Sequence, residues 1–225
     1  MDWSRQIDGY CERLGPEFWA EPWNAITNAA FIIAALVCLV IAMRRGRLDG
    51  PVSWLIFLIT AIGVGSFLFH SYATVWAAIA DVLPIGLFIL SYFTISMRCY
   101  GGYGWGLSLG LTVGYVVALF AVSSVVNLLL RDLIGGSVSY VPAFLALLAV
   151  GGWLMGRDHP AGWWLIGAGL VFAVSIGFRT VDIPLCENYA TGTHWLWHIL
   201  NGVVLGSLVI GLIRHGRRPE PKEVF

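Results

Sequence analysis

The sequence predicts an all-α integral membrane protein, a seven-transmembrane helix bundle with its N-terminus outside and its C-terminus cytoplasmic. Two observations lead to the fold class and a third to the orientation. Of the 225 residues, 58% are hydrophobic and only 12% charged, and the mean hydropathy is +0.80. A soluble domain carries about 25% charged residues, so this chain cannot cover itself with a polar surface. Apolar runs about 20 residues long, enough to cross a bilayer core, recur along the chain.

Seven such runs are separated by short connections that contain glycine, proline or charge. The connections are RRGRLDGP, SYATVW, RCYGGYG, RDLIGG, GRDHPAG and the longer TVDIPLCENYATGT. The predicted spans are residues 24–43, 52–70, 77–97, 105–127, 138–156, 162–180 and 194–213. Residues 1–23 are predicted to be an outside amino-terminal segment and residues 214–225 a cytoplasmic tail, all within a single domain, 1–225. The first 20 residues have no apolar core of a signal peptide, so we expect the first span to direct targeting.

The basic residues predict the orientation, because cytoplasmic segments carry an excess of Lys and Arg. With the amino terminus outside, nine basic residues fall inside and four outside. The inside set is Arg44, Arg45, Arg47, Arg98, Arg157, Arg214, Arg217, Arg218 and Lys222, and the outside set is Arg5, Arg13, Arg131 and Arg179. The preference for arginine hints at a GC-rich bacterial genome. We therefore expect a multi-pass protein of a bacterial inner membrane, and the zero net charge indicates no nucleic-acid partner.

Polar residues from three predicted spans fall at one level near the outer surface. Ser66 and His70 end the second span, Asp81 lies about one turn into the third, and His194 and His198 open the seventh. Ionisable residues inside a membrane are costly and mark functional sites. This layer is the candidate site, and it faces the periplasmic side.

The chemistry of these residues favours a metal site. His194 and His198 are four residues apart and share one helix face. A lone membrane histidine is more often a packing residue, but His70 can complete the three protein ligands of a catalytic zinc. Two roles are open to Asp81: it can orient a ligand or accept the proton of an attacking water. Ser66 alone is typical of helix packing, and its position one turn before His70 makes it a candidate to line the site.

Three separated motifs resemble the alkaline ceramidases, which belong to a larger group of seven-helix membrane hydrolases that includes the adiponectin receptors. The motifs are GSFLFH followed by Asp81, then DIPLCENYATGTHWLWH, and at the amino terminus EPWNAITN. The resemblance extends from Asp8 to about Gly211. It implies a zinc-dependent amidohydrolase that cleaves the N-acyl amide bond of ceramide, or of a similar N-acyl lipid, to a fatty acid and an amine such as a sphingoid base.

The resemblance also implies roles for individual residues. Zinc would be bound by His70, His194 and His198, and Asp81 and Ser66 would be catalytic. Calcium would bind beside the zinc, and the candidate ligands are Asp8, Glu12 and Glu21. The family's asparagine ligand falls on Leu14, which has no side-chain oxygen, and a solvated acidic tail is the alternative interpretation.

The four cysteines allow one topologically sensible pair. Cys11 and Cys186 both lie in predicted outside segments, whereas Cys38 is at mid-membrane and Cys99 at the inner end of the third span. The resemblance implies the same Cys11–Cys186 disulfide.

Other functions remain alternatives. The first is an adiponectin-receptor-like receptor or regulator that retains the zinc site; the absence of a long cytoplasmic amino-terminal domain and the reversed orientation count against it. A transporter would place charge near the membrane midplane or carry broken helices in a repeat. A purely structural metal site is the third. We also expect Arg179 to pair with Asp182 across the top of the bundle. The sequence does not identify a protein partner.

Overall fold

A computed structural model describes residues 2–218; Met1 and residues 219–225, which include Lys222 of the predicted tail, lie outside the described residues. The described part is helical, with one isolated antiparallel bridge between Gln6 and Thr74. The α-helices are α1 Pro22–Thr27, α2 Ala29–Arg44, α3 Gly50–Tyr72, α4 Val75–Cys99, α5 Trp105–Ile134, α6 Val141–Met155, α7 Ala161–Thr180 and α8 His194–His215. Two 3-10 helices, Gly135–Tyr140 and Ile183–Leu185, precede α6 and α8.

Six helical stretches in residues 2–218 are long and apolar enough to span a membrane. α1 and α2 together make the first, and the fourth is Trp105–Met155, which is 51 residues long. We predicted two spans there, and the structure has no non-helical connection between them. The predicted connection at Arg131 is itself helical, and α5 extends to Ile134. An unbroken helix of that length would reach about 75 Å, but Gly135 has φ +48° and α6 contacts both α5 and α7. The count of seven spans stays a prediction.

α8 lies between α2 and α7 and also contacts α1 and α3, so it is the most enclosed helix of the bundle. Small residues permit this packing: a Cβ on Gly202 would lie 3.0 Å from the backbone of Ala30 in α2. The two histidines that open α8 are therefore held by helices on several sides.

α3 and α4 approach each other closely at Gly65, one residue before Ser66. A Cβ on residue 65 would lie 2.0 Å from the carbonyl oxygen of Ala80. That carbonyl lacks its usual helical donor, because the residue four positions later is Pro84, which has no N–H. Glycine on one helix and proline on the other thus bring Ser66 and Asp81 to facing positions.

The amino-terminal segment lies across the turn between α3 and α4. Backbone hydrogen bonds join Ile7 N to Ala73 O at 2.7 Å and Val75 N to Arg5 O at 3.2 Å. Ala73 has a left-handed φ of +46°, which ends α3 directly after the turn that contains His70. Residues 3–12 are therefore fixed to the helix ends that carry the candidate site.

The predicted inner segments meet at the opposite end of the bundle. Arg47, after α2, donates to the carbonyl of Gly216, after α8, at 2.7 Å. The backbone N–H of Arg217 donates to Cys99 O at the end of α4. The ring of His159, in the loop 156–160, contacts the ring of Tyr100 at the same helix end. The basic segments assigned to one side of the membrane therefore share one end of the structure, away from the histidines.

We expect Gly65→Ala to destabilise the protein by about 1–3 kcal/mol, because overpacking forces two helix backbones apart. Gly86→Ala is the matched control, since a Cβ there meets nothing within 4 Å. Thermal unfolding in detergent should show a lower Tm for Gly65→Ala and an unchanged or higher Tm for the control. Equal Tm values for the two variants would contradict the close contact at Gly65.

Candidate metal centre

The three predicted zinc ligands come together in the structure. His70 lies in the last turn of α3, and His194 and His198 lie in the first two turns of α8. One ligand atom from each lies within 4.8 Å of the others, and all three side chains are 1–2% exposed. Nitrogen ligands around a tetrahedral zinc at 2.0–2.1 Å are about 3.4 Å apart, so only a small contraction is needed.

Hydrogen bonds orient two of these rings. The Glu21 carboxylate, which can only accept, lies 2.6 Å from Nδ1 of His70, so Nε2 carries the lone pair. The Thr27 hydroxyl donates to the Trp23 carbonyl and can accept from Nδ1 of His198 at 3.1 Å. Carboxylate and hydroxyl partners on the far ring nitrogen are what metal-bound histidines usually have.

Unpartnered nitrogen atoms support a metal at this position. Nε2 of His70 and Nδ1 of His194 are buried and have no hydrogen-bond partner among the described residues. Buried polar atoms are nearly always partnered, and a metal ion would satisfy these nitrogens. The residues present therefore fit a three-histidine zinc site.

Asp182 holds the start of α8. Its Oδ1 accepts from the backbone N–H groups of Thr193 and His194, at 2.7 and 2.8 Å, and its Oδ2 accepts from Cys11 N at 3.0 Å. A carboxylate at a helix N-terminus also interacts favourably with the helix dipole. Gly192 has φ +58°, and a Cβ there would lie 2.2 Å from Oδ1, so a glycine is required at this turn.

The expected pairing of Arg179 with Asp182 is wrong. Arg179 instead donates to Ser137 Oγ at 3.2 Å and lies over the rings of Tyr140 and Trp197. Asp182 has no further need of a cation because three backbone donors already satisfy it.

The predicted disulfide is confirmed. Cys11 and Cys186 are joined, with Cα atoms 5.4 Å apart and a sequence separation of 175 positions. Cys38 and Cys99 are free and buried. The bond ties the amino-terminal segment to the loop that leads into α8, so both sources of histidine ligands are attached to the same segment.

Asp81 lies beside the histidines but is not in the cluster of candidate ligands. Its carboxylate lies near the hydroxyl of Ser66, the ring of His70 and the guanidinium of Arg179. Asp81 is partly exposed, whereas Ser66 is buried. A carboxylate next to a metal site, and not bound within it, is free to exchange a proton.

Tyr10, which the sequence did not predict as a site residue, closes the site from the amino-terminal side. Its ring stacks on His194 with centroids 3.8 Å apart and contacts His70 at 5.0 Å. Burial raises the pKa of Tyr10 above its ordinary value, so the phenol stays protonated. Its position directly before Cys11 was the available signal, since the disulfide brings that segment to α8.

An apolar cavity lies below the histidines, toward the interior of the bundle. Phe31 and Trp197 line it and also contact the rings of His198 and His194. Its walls come from α2 to α8 and include Phe88, Leu147, Phe172, Asn201, Val204 and Leu208.

The three calcium candidates are not brought together as a metal-binding cluster in residues 2–218. Both carboxylate oxygens of Glu12 accept N–H groups that open α1, from Trp23 and Asn24. Asp8 is exposed. Burial alone would raise the pKa of Glu21, but hydrogen bonds from His70, Asn24 and Arg13 outweigh it and lower that pKa, so Glu21 is ionised. The residues do not fit calcium as predicted.

We expect His198→Ala to reduce bound zinc to background, because two imidazoles hold the ion far more weakly than three. His159→Ala is the control, since His159 lies in the loop between α6 and α7. Elemental analysis of each purified protein after zinc loading measures the difference. Full zinc content in His198→Ala would exclude this ligand.

Asp182→Ala should lower the free energy of unfolding by about 1–3 kcal/mol, because it leaves buried N–H groups without an acceptor. It should also weaken zinc binding, since His194 loses its fixed position. Glu187→Ala removes an exposed carboxylate from the same loop and serves as the control. Denaturant unfolding and a zinc titration provide the two measurements, and identical behaviour of the variants would contradict the capping role.

A family model described as Ceramidase matches residues 9–222, nearly the whole chain. No curated protein matches the sequence.

Proposed function

Because the chain belongs to the ceramidase family, we propose that it is a zinc-dependent intramembrane amidohydrolase. Its substrate is ceramide or a similar N-acyl lipid, and its products are a fatty acid and the amine, a sphingoid base where the substrate is ceramide. The observation that carries the proposal is the buried cluster of His70, His194 and His198 beside Asp81, at the mouth of an apolar cavity.

The three histidines would hold the zinc, with His70 using Nε2. Bound zinc supplies a Lewis acid that polarises the amide carbonyl and makes a water molecule acidic near neutral pH. Three protein ligands leave a position open for substrate. The hydrogen bonds that Nδ1 of His70 donates to Glu21 and Nδ1 of His198 donates to Thr27 keep the two rings in the tautomer that presents a lone pair.

Asp81 is the general base in this proposal. It accepts a proton from the attacking water as the oxygen bonds to the acyl carbon, and it returns that proton to the nitrogen as the C–N bond breaks. Ser66 stands next to Asp81 and donates a hydrogen bond to the oxygen that gains negative charge. The reaction consumes one water and releases a carboxylic acid and an amine.

The apolar cavity accommodates the acyl chain. Since Phe31 and Trp197 contact both the cavity and the histidines, a chain in the cavity would place its amide at the metal centre. The headgroup would then lie near Tyr10 and Arg179, the polar groups around Asp81 on the outer side.

The membrane arrangement follows from charge. The basic segments meet at the end opposite the histidines, and the excess of basic residues in cytoplasmic segments supports a cytoplasmic location for that end. We propose seven spans, with residues 2–21 outside and the centre toward the periplasmic side of a bacterial inner membrane. The stretch Trp105–Met155 would cross twice, reversing at Gly135.

We expect Asp81→Asn to lower turnover by about 10²–10⁴-fold while zinc stays bound, because the amide cannot accept the proton. Asp132→Asn, an exposed carboxylate at the end of α5, should leave turnover unchanged. The assay is fatty-acid release by the purified protein from ceramides, N-acyl amino acids and N-acyl ethanolamines, with a metal-depleted sample alongside.

Release that depends on both zinc and Asp81 would identify the amidohydrolase and its substrate class. Full activity in Asp81→Asn would exclude the general-base role. No release from any lipid by zinc-loaded protein would reject the proposed function.

A further inference from the structure

Arg13 is a buried cation beside the candidate zinc ligand His70. Its guanidinium is paired with Glu21 and donates to the backbone carbonyls of Gly15, at 2.9 Å, and His70, at 2.8 Å. The side chains of Arg13 and Glu21 are only 3% and 2% exposed. The same Glu21 carboxylate binds the ring of His70 through its other oxygen. Arg13 therefore contacts His70 both directly, at its carbonyl, and through Glu21.

Two features make this position favourable for a cation. The carbonyl of His70 belongs to the last turn of α3, where carbonyl groups lack helical partners and the helix dipole is negative. The Glu21 carboxylate is buried, and a buried carboxylate is destabilising unless it is paired and hydrogen-bonded. One planar guanidinium can bind both the His70 carbonyl and the Glu21 carboxylate, because it has several donors in a fixed geometry.

The three oxygens that Arg13 contacts are a carboxylate and two backbone carbonyls. These are also the ligands that Ca²⁺ prefers. A second cation at these oxygens would be repelled by the guanidinium and would have to displace it. The remaining predicted ligands offer no compensation, since Glu12 is engaged at α1 and Asp8 is exposed.

We propose that Arg13 is a built-in cation that takes the place of calcium and positions His70 through Glu21. It is a positioning residue and does not touch substrate. The proposal depends on the proposed function only in requiring that the three histidines bind a metal. It implies that the protein holds its metal centre in order without calcium.

Calcium binding by the purified protein is the first test. Equilibrium dialysis with ⁴⁵Ca²⁺ should show no stoichiometric binding to the wild type, and Ca²⁺ should not change its Tm. In Arg13→Gln the three oxygens lose their cation, so Ca²⁺ should raise the Tm of this variant. Calcium binding by the wild type that Glu21→Gln removes would overturn the proposal, as would an Arg13→Gln protein that does not respond to Ca²⁺.

Positioning of His70 is tested with Co²⁺, whose visible spectrum reports the geometry of the bound metal. Without calcium, Arg13→Gln should bind Co²⁺ about 10–100-fold more weakly than the wild type, with an altered spectrum. Arg13→Lys keeps the charge but not the planar donor arrangement and should recover part of the affinity. Arg5→Gln, an exposed arginine of the same segment, is the matched control.

An unchanged Co²⁺ affinity and spectrum in Arg13→Gln would refute the positioning role. If Arg13→Gln does not fold, the wild-type calcium measurement and the Arg13→Lys spectrum decide the question. Neither measurement uses lipid hydrolysis, so failure of this proposal can be distinguished from failure of the proposed enzymatic function.

Discussion

The candidate site depends on the contacts of the buried Glu21 carboxylate with the guanidinium of Arg13 and the imidazole of His70. An unpaired charge in this position would be strongly destabilising, so the segment before α1 must bring Arg13 to it. Once that pair forms, Glu21 fixes the ring of His70, and Arg13 fixes the carbonyl at the end of α3. The orientation of one candidate metal ligand is thus coupled to the folding of the amino-terminal segment.

The same principle explains the second half of the site. Asp182 is buried and has no cation partner within residues 2–218, and it is stabilised by three backbone N–H groups, one of them from Cys11. The disulfide joins that cysteine to the loop before α8. Residues 2–21 therefore contact and fix the helix ends that carry all three histidines. The same segment packs Tyr10 against His194.

The sequence predicted those features that depend on helix periodicity and on depth in the membrane. Histidines four residues apart must share a helix face, and residues at neighbouring ends of spans must lie at one level, so His70, His194, His198 and Asp81 could be placed together. Loop conformation has no comparable regularity. The pairing of Arg13 with Glu21 therefore could not be read from the sequence, and Glu21 was assigned to calcium instead.

Two other differences have the same origin. The charge at Arg131 predicts a connection because charge is rare inside membrane helices, but the helix continues past it to Ile134. Arg179 and Asp182 were expected to pair because they are adjacent in sequence and opposite in charge. In the structure each has its own partners. Arg179 contacts aromatic rings and the Ser137 hydroxyl, and Asp182 accepts from backbone N–H groups.

The position of the site at one end of the bundle also follows from how α3 and α4 pack. Pro84 removes the donor for the Ala80 carbonyl, and Gly65 lets α3 approach that carbonyl. The approach is closest where Ser66 and Asp81 face each other, next to His70. Toward the interior of the bundle, an apolar cavity occupies the space between the helices. A tight polar contact above an open apolar space is what a lipid amide requires, because its polar bond must be held firmly while its chain only needs room.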